Sequence, residues 1–149
     1  MKHILGVSAG YHDAAIAIVS EQGDIKFAGH AERYSHVKND SNLHPELVAE
    51  AYGYNVEHIA YYERPWLKQL RHLRTGEGFD IGQLTAYQVL RKQLGNKFSL
   101  CSRTISTHNH HLSHAAAGFQ TSPYDRATVV VIDAIGEFDT ISIWGAEYD

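Results

Sequence analysis

Apolar residues along this chain fall in short blocks separated by turn residues, and the spacing inside each block names its element. Residues 3–8 (His-Ile-Leu-Gly-Val-Ser) and 14–20 (Ala-Ala-Ile-Ala-Ile-Val-Ser) are apolar runs of strand length. Between them lies Ala9-Gly10-Tyr11-His12-Asp13, a turn with glycine where positive φ is accessible. Glu21-Gln22-Gly23-Asp24 closes a hairpin, and Ile25 to Tyr34 alternates as a third strand with Ile25 and Phe27 on one side. A polar stretch, 35–42, precedes His44-Pro45-Glu46-Leu47-Val48, where proline near the first position starts a helix running to Tyr52. His58 to Tyr62 is a fourth strand, stopped by Arg64-Pro65. Two helical patterns follow, Trp66–Leu73 and Gln83–Leu94, split at Thr75-Gly76-Glu77-Gly78.

Residues 103–107 predict a fifth strand, 110–119 an alanine-rich helix and Ser122-Pro123-Tyr124-Asp125 a turn. The strongly apolar 128–133, a turn at 134–138 and a strand at 139–146 then repeat the opening hairpin. The order strand-strand-strand-helix-strand-helix-strand-helix is that of a ribonuclease H-like α/β unit with a mixed sheet, whose duplication builds the actin-like ATPase (ASKHA) fold. The reading is therefore one such lobe over 1–122 and the start of a second over 123–149, incomplete because the repeat stops after two strands. A lone hairpin is marginal and leaves apolar edges open. The tail is expected to pack on the first unit, or to be completed by a second chain or a missing C-terminal part.

With 44% hydrophobic and 20% charged residues among 149, the chain can bury a core and is neither disordered nor membrane-spanning. A net charge of −4 with scattered Lys and Arg argues against nucleic acid as partner, while small anions stay open. The single Cys101 excludes an internal disulfide and suits a reducing compartment. The start, Met-Lys-His-Ile-Leu-Gly, lacks a secretory h-region, so a cytoplasmic location is the expectation.

Candidate chemistry concentrates in His108-Asn-His110-His111-Leu-Ser-His114, four of eleven histidines within seven residues. On a helix His110 and His114 share one face, with Cβ atoms about 5–6 Å apart. Asp133, at the end of a following strand, can supply a third ligand. Two neutral imidazoles and a carboxylate leave open positions on the ion and suit Fe²⁺, Mn²⁺ or Zn²⁺ acting as a Lewis acid. His111 lies about 100° round the helix from His110 and is read as packing or solvated. His108 ends strand five. Backbone N–H groups in the turns at 9–13 and 134–138 are candidate phosphate donors. An H-E-x-x-H zinc peptidase is excluded, since His111, Leu112 and Ser113 occupy the gap.

Four segments in order, Ile4-Leu-Gly-Val-Ser-Ala-Gly-Tyr-His12-Asp13-Ala-Ala, Ala31-Glu32-Arg33-Tyr34-Ser35, His110-His-Leu-Ser-His114-Ala-Ala and Val131-Ile-Asp133-Ala-Ile-Gly136-Glu137, resemble the amino-terminal quarter of the O-carbamoyltransferases of the NodU/CmcH type. The resemblance implies transfer of a carbamoyl group from carbamoyl phosphate, through a carbamoyl-adenylate made with ATP, to a hydroxyl of a small acceptor. It implies a mononuclear metal, usually iron, with His110 and His114 matching the H-x-x-x-H pair and Asp133 the aspartate of the D-G-x-G-E segment. His12 matches the histidine near the reactive group, a catalytic role, while Gly10, Asp13 and Gly136 fall in the phosphate turns. Ala134 stands where the family has glycine, and the family's later domains have no counterpart here. Two alternatives accompany this expectation. One is a non-catalytic metal- or nucleotide-binding fragment. The other is a relative of the tRNA threonylcarbamoyl-transfer enzymes, which share the histidine spacing but carry H-x-E-G-H.

Overall fold

The computed structural model describes residues 1–96 and 98–148, with the backbone alone at 135 and 136. Asp149, the last residue of the expected second unit, lies outside the described residues. The first three apolar blocks form β1 (His3–Ser8), β2 (Ala15–Ser20) and β3 (Ile25–His30), an antiparallel meander. β4 (Val56–Tyr61) adds parallel to β1, and β5 (Thr104–Thr107) adds parallel to β4. The sheet is mixed, as the element order anticipates, and its strand order is β3-β2-β1-β4-β5.

Alternation decides which face is covered. Leu5, Val7, Ile16, Ile18, Ile59 and Tyr61 form one core with Leu47 and Val48 of α2 (Pro45–Glu50) and Val89, Leu90 and Leu94 of α4 (Ala86–Leu94). Burying each such aliphatic side chain contributes about 1.5–3 kcal/mol. Helix α4 starts on a capping box, Thr85 accepting from Gln88 N and the Gln88 side chain accepting from Thr85 N. The other face carries a transverse row of small residues, Ala28, Ala17, Gly6, Ala60 and Ser106, in register across all five strands. Ala28, Ala17, Gly6 and Ala60 of this row line an apolar groove of about 570 Å³.

The third strand is shorter than its alternation predicts. It ends at His30, and Glu32–Ser35 is a helical turn, α1. Ala31 is buried in helical backbone, and His36 closes the turn in the left-handed region at φ 55°. A local hydrogen-bonded turn thus overrides the alternating pattern, which by itself says nothing about where pairing with β2 runs out. Helix α3 (Pro65–Thr75) lies between β4 and α4 and ends on Gly76 at φ 76°, as its glycine-rich break predicts.

Helix α5 (His110–Gln120) leads from β5 to a second sheet of two strands, β6 (Arg126–Gly136) and β7 (Asp139–Glu147). Here the expected turn at 134–138 is corrected. β6 runs on to Gly136, with a register irregularity between Ile132 and Gly136, and only Glu137 and Phe138 turn. Glu137 takes φ 53° and its carboxylate is captured by Arg64, which extends the ladder beyond what turn propensity indicates. The hairpin packs on α5 through Val131 and meets the start of α3 through Glu137 and Arg64, the residue that precedes the helix.

Candidate metal centre

Asn109 begins the histidine helix because its side chain accepts from Leu112 N at 3.0 Å, satisfying a first-turn amide. The same turn is tied to the carboxyl end of β4. His108 N donates to Tyr61 O at 3.1 Å, and Ser113 Oγ donates to Tyr62 O at 2.8 Å. This places α5 over the carboxyl ends of the parallel strands, where open α/β sheets gather ligands.

His110 Nε2 lies 3.0 Å from Asp133 Oδ2 and 3.1 Å from His114 Nε2. His114 Nε2 is 3.9 Å from Asp133 Oδ2. Ligands about 2.1 Å from one ion and about 90–109° apart lie about 3.0–3.4 Å from each other. Two edges of the triangle meet that spacing, and the third closes with a small swing of the exposed His114 ring. His110 Nε2 faces the Asp133 carboxylate, an acceptor, and His114 Nε2, whose role follows its tautomer. A cation satisfies all three atoms at once. The donor set therefore fits a divalent metal.

Burial lowers the pKa of His110, but the Glu63 and Asp133 carboxylates outweigh it and hold the imidazole above 6.5. Burial and the His110 neighbour hold His114 below 6.5. Desolvation opposes ionisation of Asp133, yet the Ala134 amide at 2.7 Å and the two imidazoles keep its carboxyl below 3.8.

The residues singled out in the first turn meet this centre. Tyr11, His12, Asp13, His110, His114 and Asp133 line one cleft of about 320 Å³. His12 Nδ1 is 2.6 Å from Asp13 Oδ2, and Asp13 adopts φ 53° with its other oxygen 3.7 Å from His30 Nε2. Gly10, at φ 95°, spends its amide on Ser41 O at 2.8 Å, so a phosphate here relies on other donors of the turn. Ala134 N likewise serves Asp133, and Gly136 closes β6 opposite Asp139.

His111 and His108 stay apart from the centre. His111 is 1% exposed and packs on β7, with Nδ1 2.7 Å from Ser142 Oγ. His108 Nε2 is 2.8 Å from Ser106 Oγ on the open sheet face. The sequence reading missed Glu63, which is 5% exposed and has Oε2 3.8 Å from His110 Nδ1 and Oε1 3.0 Å from Lys68 Nζ. Its only signal is position, a carboxylate directly after the apolar strand that ends beneath α5. Tyr62 packs its ring 5.3 Å from that of His110.

Among known proteins, the family model described as carbamoyltransferase N-terminus matches residues 56–148, more than half of the chain. A protein of Synechocystis sp. described as uncharacterized is 32% identical over 171 aligned positions, covering 99% of this chain and 28% of its own length. The nodulation protein NolNO of Sinorhizobium fredii is 28% identical over 137 positions, covering 85% of this chain and 20% of its own. The chain thus spans less than a third of these relatives' length.

Proposed function

The chain belongs to the carbamoyltransferase family, whose amino-terminal model it matches over residues 56–148, and from that premise we propose that it supplies the metal-bearing part of an ATP-dependent O-carbamoyltransferase. The observation that carries this reading is the convergence of His12, His110, His114 and Asp133, from three separate segments, on one cleft. In this reading carbamoyl phosphate and ATP are substrates, a carbamoyl-adenylate is the activated donor and a small hydroxyl compound is the acceptor. Residues 1–122 are a ribonuclease H-like lobe of the actin-like type, and 123–149 begin a second lobe that further polypeptide completes.

His110, His114 and Asp133 would hold a divalent ion, iron first and manganese or zinc after it. Such an ion supplies Lewis acidity toward a carbamoyl or phosphoryl oxygen. The side chains of the chain do the rest. Asp13 fixes the His12 ring through Nδ1, which leaves Nε2 as the atom that stabilises charge or passes a proton within the cleft. Tyr11 and Tyr62 line the cleft beside them. Gly10, Asp13 and Gly136 stand at the turns where phosphates would lie.

Metal analysis of the purified chain tests the centre. About one equivalent is expected in the wild type and background in the His110→Ala/His114→Ala variant; equal content in both would overturn the reading. Phosphate and pyrophosphate release from carbamoyl phosphate and ATP, with the remaining part of a family member added, tests the reaction. His12→Ala is expected to lower that rate about 10²- to 10⁴-fold. A second reading, a metal- or nucleotide-binding module that does not turn over alone, is favoured by the small share of the relatives that the chain covers. It predicts metal uptake by the chain with release seen only in the mixture.

A further inference from the structure

Two imidazole atoms of His110 face different demands. Nε2 meets Asp133 and His114, while Nδ1 is buried with no hydrogen-bond partner among the described residues. The nearest charged group to Nδ1 is Glu63 Oε2 at 3.8 Å, an electrostatic contact rather than a hydrogen bond. Glu63 is itself buried and cannot turn to solvent. Its second oxygen is held by Lys68 at 3.0 Å, with Tyr61 OH at 3.5 Å, and Lys68 in turn sits 5.0 Å above the Tyr11 ring that lines the cleft.

The consequence follows from where the single proton of a neutral imidazole resides. With the proton on Nε2, the bare Nδ1 lone pair points at a buried carboxylate, which is repulsive. With the proton on Nδ1, the N–H faces that carboxylate and the Nε2 lone pair is presented to Asp133 and His114, where a cation can take it up. No net proton is gained or lost in the exchange.

We propose that Glu63 is a positioning residue for the centre, holding the His110 proton on Nδ1 so that Nε2 is committed to the cation. Lys68 Nζ, 3.0 Å from Glu63 Oε1, holds Glu63 in place. The proposal rests on the metal reading given above. Metal-ligating histidines generally donate their other ring N–H to such a partner, and losing the partner costs about 10- to 100-fold in metal affinity. Here the partner comes from just after β4, 47 residues before the start of α5, so the core of the first sheet sets the chemistry of the histidine helix.

The test compares the wild-type chain, Glu63→Met/Lys68→Met, which removes both buried charges together, and Glu63→Gln/Lys68→Met, which restores an acceptor oxygen. Zn²⁺ affinity is measured by calorimetry, and the His110 ring tautomer by ¹⁵N NMR with and without Zn²⁺. The expected result is about 10- to 100-fold weaker binding in the double-Met variant, partial recovery with Gln, and a shift of the His110 proton from Nδ1 toward Nε2 in the metal-free double-Met variant. Equal affinity and an unchanged tautomer in all three would overturn the proposal. If the double-Met variant fails to fold, Glu63→Leu/Lys68→Gln, which likewise removes the acceptor, gives the same comparison. If the wild type binds no Zn²⁺, the metal reading fails, while the tautomer of the metal-free chains still decides whether Glu63 sets the His110 proton.

Discussion

The two hairpins of this chain have nearly the same hydropathy pattern and opposite surroundings. In β1–β2, Leu5, Val7, Ile16 and Ile18 lie under α2 and α4, and the strands are flanked by β3 and β4. In β6–β7, Val131 packs toward α5, but the pairs Val130 with Ile143 and Ile132 with Ile141 form an exposed apolar face, and both strands are edges. Ile18 is 0% exposed, whereas Ile132 and Ile143 are 75% and 71% exposed. Pattern alone sets the capacity to bury a face, and neighbours decide whether that capacity is used. The second hairpin is instead held by α5 and by one polar joint at its turn, the Glu137 carboxylate on Arg64 N at 2.8 Å and on the Arg64 guanidinium.

The widest gap between the hairpins should appear in matched truncations. Ile18→Ala is expected to cost about 2–5 kcal/mol in chemical denaturation. Ile143→Ala should stay within about 0.5 kcal/mol. Similar values for the two would mean that the second hairpin's outer face is covered in solution. Next in size, Glu137→Gln removes a charge that is 4% exposed from the joint, at a cost of about 1.5–3 kcal/mol. Hydrogen exchange should speed up at the β6–β7 amides and leave β1–β2 unchanged; uniform acceleration would show that the hairpins unfold as one unit.

Acidity separates the hairpins more gently, since Asp133 belongs only to the second. Its folded pKa lies below 3.8, so its stabilising contribution is complete above that value and is lost as pH falls through the folded value. His110 has the opposite sign. Its folded pKa lies above 6.5, so its protonated form stabilises the metal-free chain below 6.5, and that contribution is lost as pH rises through the folded value. Protons therefore compete with metal, and uptake should fall as pH drops through the raised folded value of His110; a flat uptake curve from pH 8 to 5 would remove His110 from the ligand set. The smallest effect is expected from Ile132→Thr/Ile143→Thr, about 0.5 kcal/mol or less in stability with reduced self-association by light scattering.

Much of the site was legible because helix periodicity is local. His110 and His114 are four apart, so any helix brings them together, and it also turns His111 away onto Ser142. Asp133 was legible only with the fold in mind, since its approach depends on β6 lying beside α5. Glu63 was hidden because a carboxylate before Arg64-Pro65 reads as a strand end, and its burial depends on Lys68 one helical turn into α3. The first-turn amides were read as phosphate donors, but the loop at Ser41 that claims Gly10 N has no signature of its own.

The order of strands and helices, the histidine spacing and the family segments are properties of the amino-acid sequence, because they arise from residue types a few positions apart. The end of β3 at His30, the continuation of β6 to Gly136, the Glu63 contact with His110 and the exposure of one hairpin face were decided by the tertiary structure. Each depends on which group from a distant segment reaches a given atom first. Burial and ion pairing are set by those encounters, and no local pattern encodes them.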